Sequence, residues 1–363
     1  MSYALVIGKF YPPHLGHVGL IERASREADN VVAIVMGSVW ETITVADRVE
    51  WLTSATTHVP GVQVIGIPDD APVAYDSEIA WVAHTELMRV ALRHRGVHEL
   101  DAVVSSEPYG AQLAERLGAR AVLHDPDRSI VSVSGTAVRE NPAATWHLLP
   151  EATRLGLAVR VIVVGAESTG TTTLSSSLTS HFRASGYPSL RAVTEYGREF
   201  TYLLQERAET AARLVGADVP PVDELVWLPE HFAEIAVEQT RRENSAALAA
   251  PLVIADTDVL ATTVWERRYL SEGSRASAPA LTSLPRRDLY IVTDHVGVPF
   301  EQDGWRDGEH VRAEMTEWMV DAVHTRGYSW MLVRGNESER LKYSIAAIEG
   351  LISKRLRFGP PTS

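Results

Sequence analysis

The chain opens on an apolar run, residues 3–10, and comparable β-branched runs recur at 31–37, 62–67, 101–106 and 120–125. Between them, apolar residues return every three or four positions, as in HVGLIERASREA (17–28) and DSEIAWVAHTELMRVALRHRG (76–96). Strand-length runs alternating with helical periodicity predict a parallel, doubly wound sheet covered by helices on both faces. A second series begins at 159–165 and continues through 190–197, 251–258, 288–294 and 328–335. The stretch between the series, 140–158, carries two prolines and a short amphipathic patch, which places a domain boundary near residue 155. The expected domains are 1–150 and 158–358. Segments 213–224 and 271–283, punctuated by Gly, Pro and Ser, read as surface loops.

Composition narrows the function classes. At 363 residues the chain is long enough for two domains with separate cores. The absence of cysteine excludes disulfides, thiolate nucleophiles and cysteine-ligated metal centres. A formal charge of −13 argues against a nucleic-acid partner. No run approaches the roughly 18 apolar residues of a membrane span, and no basic region precedes an apolar one at the N-terminus. The cytoplasm is therefore the expected compartment, with no membrane partner. A homo-oligomer would have to be built from specific patches. Positive charge is almost all arginine, the lysines being Lys9, Lys342 and Lys354 alone.

Candidate chemistry begins at GKFYPPHLGH (8–17). Gly8 ends a strand where a side chain would block a ligand, and two prolines stiffen the turn into a helix. That helix would aim unpaired backbone N–H groups above the sheet. His14 and His17, three apart, share a helical face and can reach one anion together. Near the end of the first domain, SIVSVSGTAVRENP (129–142) places Ser134, Gly135 and Thr136 at a helix start. Arg139 follows three residues on, on the same face, with a guanidinium able to fork onto phosphate.

These two elements resemble the nucleotidyltransferase superfamily, in which paired histidines hold ATP phosphates during attack on the α-phosphorus. The resemblance implies a Rossmann-like domain that binds ATP through Gly8, Phe10, His14, His17, Ser134, Gly135, Thr136 and Arg139. Displacement at phosphorus needs positioning and charge neutralisation more than covalent help, so His14, His17, Lys9 and Arg139 with Mg²⁺ form the expected catalytic set. The segments PDDAPVAYDSEIAWVAHTELM and VVSSEPYGAQLAERLGA add a finer resemblance, to the NadR-type bifunctional proteins. Those join an NMN adenylyltransferase to a ribosylnicotinamide kinase, which implies ATP, NMN, ribosylnicotinamide and NAD as small-molecule partners. Trp81 is then a candidate to stack on the nicotinamide ring, and a core tryptophan is an equally good reading of it. Arg48 in ADRVEWL is within reach of phosphate, and a solvated helix arginine is its better reading. The first strand begins too near the N-terminus for the helix-turn-helix that some relatives carry, and no DNA-binding role is expected.

The resemblance extends through the second half, implying a P-loop kinase-like α/β domain. GAESTGTTTL (165–174) has the spacing of a phosphate-cradling loop, with Thr171 where the lysine belongs. Gly165, Ser168, Thr169, Gly170, Thr171, Thr172 and Thr173 are its expected ATP contacts, and Thr172 with Asp256 an Mg²⁺ pair. Of the two acids in PLVIADTD, Asp258 is a candidate to take the ribose hydroxyl proton. Glu195 and Arg198 match the family's substrate-side element; Asp303, Arg306 and Arg312 match its lid; RGNESERL (334–341) matches its adenine-side loop. Losing one preorganised cation costs about 10²–10³ in rate. Two readings stay open for the second domain: a kinase weakened or rescued by Arg198, Arg306 or Arg312, and a nucleotide-binding module without transfer. For the whole chain the competitors are another phosphorylated acceptor, such as phosphopantetheine or nicotinate mononucleotide, and a nucleotide sensor.

Overall fold

The computed structural model describes residues 1–271, 273–306 and 308–359. Two compact units divide the chain: Met1–Leu157 joined by the last residues from Arg355 on, and Ala158–Lys354.

The first unit runs β1 (Tyr3–Gly8), α1 (Leu15–Ala24), β2 (Asn30–Gly37), α2 (Val45–Ala55), β3 (Val62–Pro68) and α3 (Glu78–His94). It continues through β4 (Ala102–Ser105), α4 (Tyr109–Leu117), β5 (Arg120–Leu123), α5 (Gly135–Glu140), α6 (Pro142–Thr145) and α7 (Glu151–Leu157). The strands pair in parallel in the order β3-β2-β1-β4-β5. Parallel strands flanked by helices are buried on both faces, which is why their sequences are continuous apolar runs. Two clusters form the core, one centred on Val6, Ile21 and Ala33, the other on Leu5, Ile34 and Leu113. Each such buried Val, Leu or Ile side chain contributes about 1.5–3 kcal/mol. Helix α7 lies beyond the expected end at 150, yet it belongs here: its Gly156 packs on the Trp51 indole with no room for a Cβ. The chain's last residues also return to this unit, with Leu356 buried and the Phe358 ring edge-on to Tyr11 at 6.2 Å.

The second unit runs β6 (Val159–Gly165), α8 (Thr171–Ala184), β7 (Ala192–Val193), α9 (Tyr196–Val215), α10 (Pro229–Ala249), β8 (Leu252–Asp256) and α11 (Val259–Leu270). It ends with β9 (Leu289–Thr293), α12 (Arg312–Thr325), β10 (Trp330–Val333) and α13 (Glu337–Arg355). Its sheet is also parallel, in the order β10-β9-β6-β8-β7. The ten strands fall within or nearly within the ten apolar runs, trimmed at their ends. Residues 190–197 shrink to the two-residue β7 because Glu195 already serves as the N-cap of α9. The loop after α11 is tethered by the Glu266 carboxylate, which accepts from the Ala276 and Ser277 N–H groups and both serine hydroxyls at 274 and 277. In each sheet the first strand lies where the strand order reverses, and ligands of open α/β sheets bind at that place. Among the described residues no helix is long and apolar enough to cross a membrane.

Candidate active sites

In the first unit, β1 delivers the chain into the turn that holds His14 and His17. The His17 Nδ1 accepts the His14 backbone N–H at 3.1 Å, and the two rings stack at 3.5 Å. That bond fixes the His17 tautomer: the proton resides on Nε2, which is left to donate. Phe10 packs edge-on against His17 at 4.8 Å. The His14 Nδ1 is buried without a hydrogen-bond partner, an arrangement that costs free energy unless a ligand completes it. Burial pushes the His14 pKa down to about 3, helped by the nearby Arg128 and Arg139 charges. His17 is likewise well below the ordinary range, through burial first and then His14 and Arg128. Both are neutral donors before an anion arrives. Gly16 is needed at its place, because a Cβ would come within 3.1 Å of the His14 Nδ1.

Helix α5 brings Arg139 to this turn. Its Nη1 donates to the Tyr11 carbonyl at 2.8 Å, and its Nη2 to the Thr136 Oγ1 at 3.0 Å. A Cβ on Gly135 would stand 3.0 Å from that Nη1 and 3.2 Å from the Tyr11 carbonyl oxygen. Glycine therefore permits the close approach of the two motifs. Ser134 caps α5, its Oγ accepting the Ala137 N–H.

Lys9 is held by residues that the sequence pattern did not single out. Its Nζ lies 3.7 Å from the Glu41 Oε1. Glu41 also accepts from the Arg48 Nη2 at 2.8 Å, while the Arg48 Nη1 donates to the Lys9 carbonyl at 2.7 Å. Arg48 is fully buried, a correction to its reading as a solvated helix arginine. The signal that was available is Gly37, whose Cβ would collide with Glu41 and Arg48. Arg128, near enough to depress both histidines, was also missed; it pairs with Glu107 at 2.8 Å. Of its two readings, Trp81 takes that of a core tryptophan. It is 7% exposed within the core, its indole N–H donates to the Tyr75 carbonyl at 3.0 Å, and the Arg116 guanidinium covers its ring at 5.0 Å.

The second unit contains a cavity of about 680 Å³. The loop 165–174 forms one wall, and Glu195, Arg198, Asp256, Arg306 and Arg340 project into it. Gly165 is required where the Thr169 and Thr293 hydroxyls meet at 2.7 Å, and Gly170 adopts φ +85° to start α8. The Thr172 Oγ1 lies 2.5 Å from the Asp256 Oδ2. Two hard oxygen donors side by side beside a phosphate nest suit Mg²⁺, which takes few protein ligands and completes its shell with phosphate and water. The Thr171 hydroxyl also bonds to Asp256 and carries no charge toward the nest. Burial and the neighbouring Asp256 push the Glu195 carboxyl up to about 8. The far wall is aromatic: Trp227 stacks on Tyr269 at 5.0 Å, and Tyr202 meets Trp305 edge-on at 4.5 Å.

Asp258 is elsewhere. It is fully buried as the N-cap of α11 and binds the Tyr290 hydroxyl at 2.6 Å and the Arg287 Nε at 3.1 Å. Its backbone turns it away from the cavity, so the expected proton acceptor is a structural group. The lid arginines do reach the loop: Arg306 donates to the Ser168 Oγ at 2.8 Å and Arg312 to the Ser168 carbonyl at 2.9 Å. Arg198 and Asp303 pair at 3.2 Å. Arg340, unremarked within RGNESERL, donates to the Thr169 carbonyl at 2.7 Å.

Comparison with known proteins follows the same division. A cytidylyltransferase-like family model matches residues 5–141, and an AAA domain model matches 160–340. A nicotinamide-nucleotide adenylyltransferase of Methanoculleus marisnigri is 32% identical over 162 residues, 42% of this chain and 88% of the relative. The trifunctional NAD biosynthesis/regulator protein NadR of Escherichia coli is 26% identical over 348 residues, covering 92% of this chain and 78% of the relative. The chain belongs to the NadR-type family of nicotinamide-nucleotide adenylyltransferases. A crystal structure of a NadR protein in complex with NR shares the NadR-type fold, with a TM-score of 0.59 and 21% identity over 96% of both chains.

Proposed function

We propose that the chain makes NAD in two steps on two units: phosphorylation of ribosylnicotinamide by ATP, and transfer of AMP from a second ATP to the NMN produced. The observation that carries the reading is the stacked His14–His17 pair with Arg139 bound to the same turn. In the first unit the triphosphate lies across these donors with the α-phosphorus turned outward. An NMN phosphate oxygen attacks that phosphorus, the bond to the bridging oxygen breaks, and pyrophosphate departs with the electron pair. The imidazole N–H groups, Arg139 and Lys9 neutralise the charge that develops on it. Mg²⁺ would supply further charge neutralisation there. This is an enzyme suited to the cytoplasm, where its nucleotides are.

In the second unit the loop 165–174 cradles ATP, and Thr172 with Asp256 would hold Mg²⁺. The aromatic wall suits a flat cationic pyridinium, which an electron-rich ring attracts by about 0.5–2 kcal/mol. Glu195, lining the cavity beside Asp256, is placed to take the proton of the 5′-hydroxyl when it is ionised. The uncharged Thr171 favours the second reading, nucleotide binding without transfer. One assay set decides: purified full chain with ATP and Mg²⁺ is given NMN in one arm and ribosylnicotinamide in the other. NAD in the first arm supports the adenylyltransferase, and NMN or NAD in the second supports the kinase. ATP binding with neither product sinks the proposal.

A further inference from the structure

We propose that Arg306 is the catalytic cation of the second unit, replacing the lysine that position 171 lacks and touching the γ-phosphate during transfer. This rests on the kinase reading above. A phosphate loop without its lysine needs another positive charge that can follow the moving phosphoryl group. No lysine qualifies: Lys342 and Lys354 are exposed on α13, outside the cavity lining.

Five arginines surround the loop, and their bonds sort them. Arg340 spends its Nη1, Nη2 and Nε on the backbone carbonyls of Thr169, Asp294 and Gly335. Arg312 spends both terminal nitrogens on the carbonyls of Ser168 and Val298. These two brace the loop, and moving either would strip carbonyls of their donors. Arg268 faces Glu167 at 3.4 Å, and Arg198 faces Asp303. Arg306 differs. Its Nε shares Asp303 with Arg198 at 3.4 Å, but its Nη1 contacts the loop itself through the Ser168 hydroxyl, with the Glu301 carbonyl at 3.0 Å and the exposed Glu301 carboxylate at 3.2 Å as its other partners. A charged phosphate oxygen is a stronger acceptor than a serine hydroxyl, so the ligand can take over this bond. The residue projects into the cavity from residues 297–306, which form no helix or strand. The Ser168–Glu301 bond holds them against the loop, and Glu167 accepts the Gly308 N–H. A planar fork also matches two phosphoryl oxygens at once.

In the step assigned to it, the ribose 5′-oxygen bonds to the γ-phosphorus as the bond from phosphorus to the β,γ-bridging oxygen breaks. The electron pair leaves on the ADP β-phosphate, the hydroxyl proton goes to Glu195, and Arg306 tracks the charge shifting between the two phosphates.

The test uses the full chain as wild type, Arg306→Ala, Arg306→Lys, Thr171→Lys and the Arg306→Ala/Thr171→Lys double variant. Ribosylnicotinamide phosphorylation is measured as kcat and KM, with NAD formation from NMN read on the same samples. Arg306→Ala should lower kcat by about 10²–10³, Arg306→Lys should retain more activity, and Thr171→Lys should restore the alanine variant. Restoration also proves that variant folded. An active wild type whose kcat survives Arg306→Ala overturns the assignment of Arg306 alone, as does an Arg306→Ala loss that lysine at 171 fails to repair. A wild type that forms NAD from NMN but never phosphorylates ribosylnicotinamide removes the kinase reading itself, and this inference with it.

Discussion

Arg48 donates to the Lys9 carbonyl across 2.7 Å, joining helix α2 to the turn that carries the first phosphate motif. The same guanidinium satisfies Glu41, which in turn faces the Lys9 ammonium. A fully buried arginine thus sets both the backbone and the charge of a residue thirty-nine positions away.

Removing Arg48 leaves Glu41 charged and buried. Arg48→Ala is expected to cost the first unit about 3–5 kcal/mol, the usual penalty for breaking a buried pair from one side. Denaturant unfolding followed through Trp51, which lies on α2, would measure it, and NAD formation should fall in parallel. An unfolding midpoint within experimental error of wild type would refute the role.

Acid should weaken the first unit through His14. Its folded pKa, about 3, lies below the unfolded value of 6.5, so the unfolded chain binds the proton first as pH falls. Stability from this group is complete above 6.5 and is lost as pH falls toward 3. Between pH 7 and pH 5 the loss is about 2 kcal/mol. His14→Asn should flatten that part of the stability–pH curve. ATP, by bringing negative charge to the neutral pair, should bind with proton uptake below neutrality, visible by calorimetry in buffers of different ionisation enthalpy.

Asp256 and Asp258, two residues apart, should respond in opposite ways. Asp256→Asn is expected to abolish ribosylnicotinamide phosphorylation with little loss of stability, because burial already disfavours its charge. Asp258→Asn removes a buried partner of Arg287 and Tyr290 and the carboxylate cap of α11. It should cost about 3–5 kcal/mol of second-unit stability and leave kcat nearly intact in the protein that remains folded. Thermal unfolding and phosphorylation kinetics on the two variants separate these outcomes.

Gly135→Ala is expected to raise the ATP KM of NAD formation by roughly tenfold, less than the 10²-fold of a 1 Å misplacement of a positioning group because the clash calls for only a few tenths of an ångström. The added methyl pushes against the Arg139 fork and the fixed Tyr11 carbonyl. Ribosylnicotinamide phosphorylation on the same protein should not change.

The legible parts of this molecule are those written locally. Runs such as VRVIVVG become β6 because both faces of a parallel strand are covered, and the loop after it keeps its two glycines because Gly165 has no room for a Cβ and Gly170 takes a positive φ. His14, His17 and Arg139 could be paired because each sits at a strand-to-helix junction with distinctive neighbours. What stayed hidden depends on distant partners. Arg48 looked solvated by helical periodicity, and only Gly37 and Glu41 make room for it inside. Arg340 meets Thr169 across 171 positions. Asp256 and Asp258 looked alike in the string, yet one faces the cavity and the other caps a helix toward Tyr290.

The return of Phe358 to Tyr11 makes the second unit an insert between two pieces of the first. Cutting the gene after codon 157 would therefore discard a ring that leans on the ATP turn, so that fragment lacks part of the unit it is meant to represent. A dissection that respects the topology would excise 158–354 and bridge the gap with a short linker.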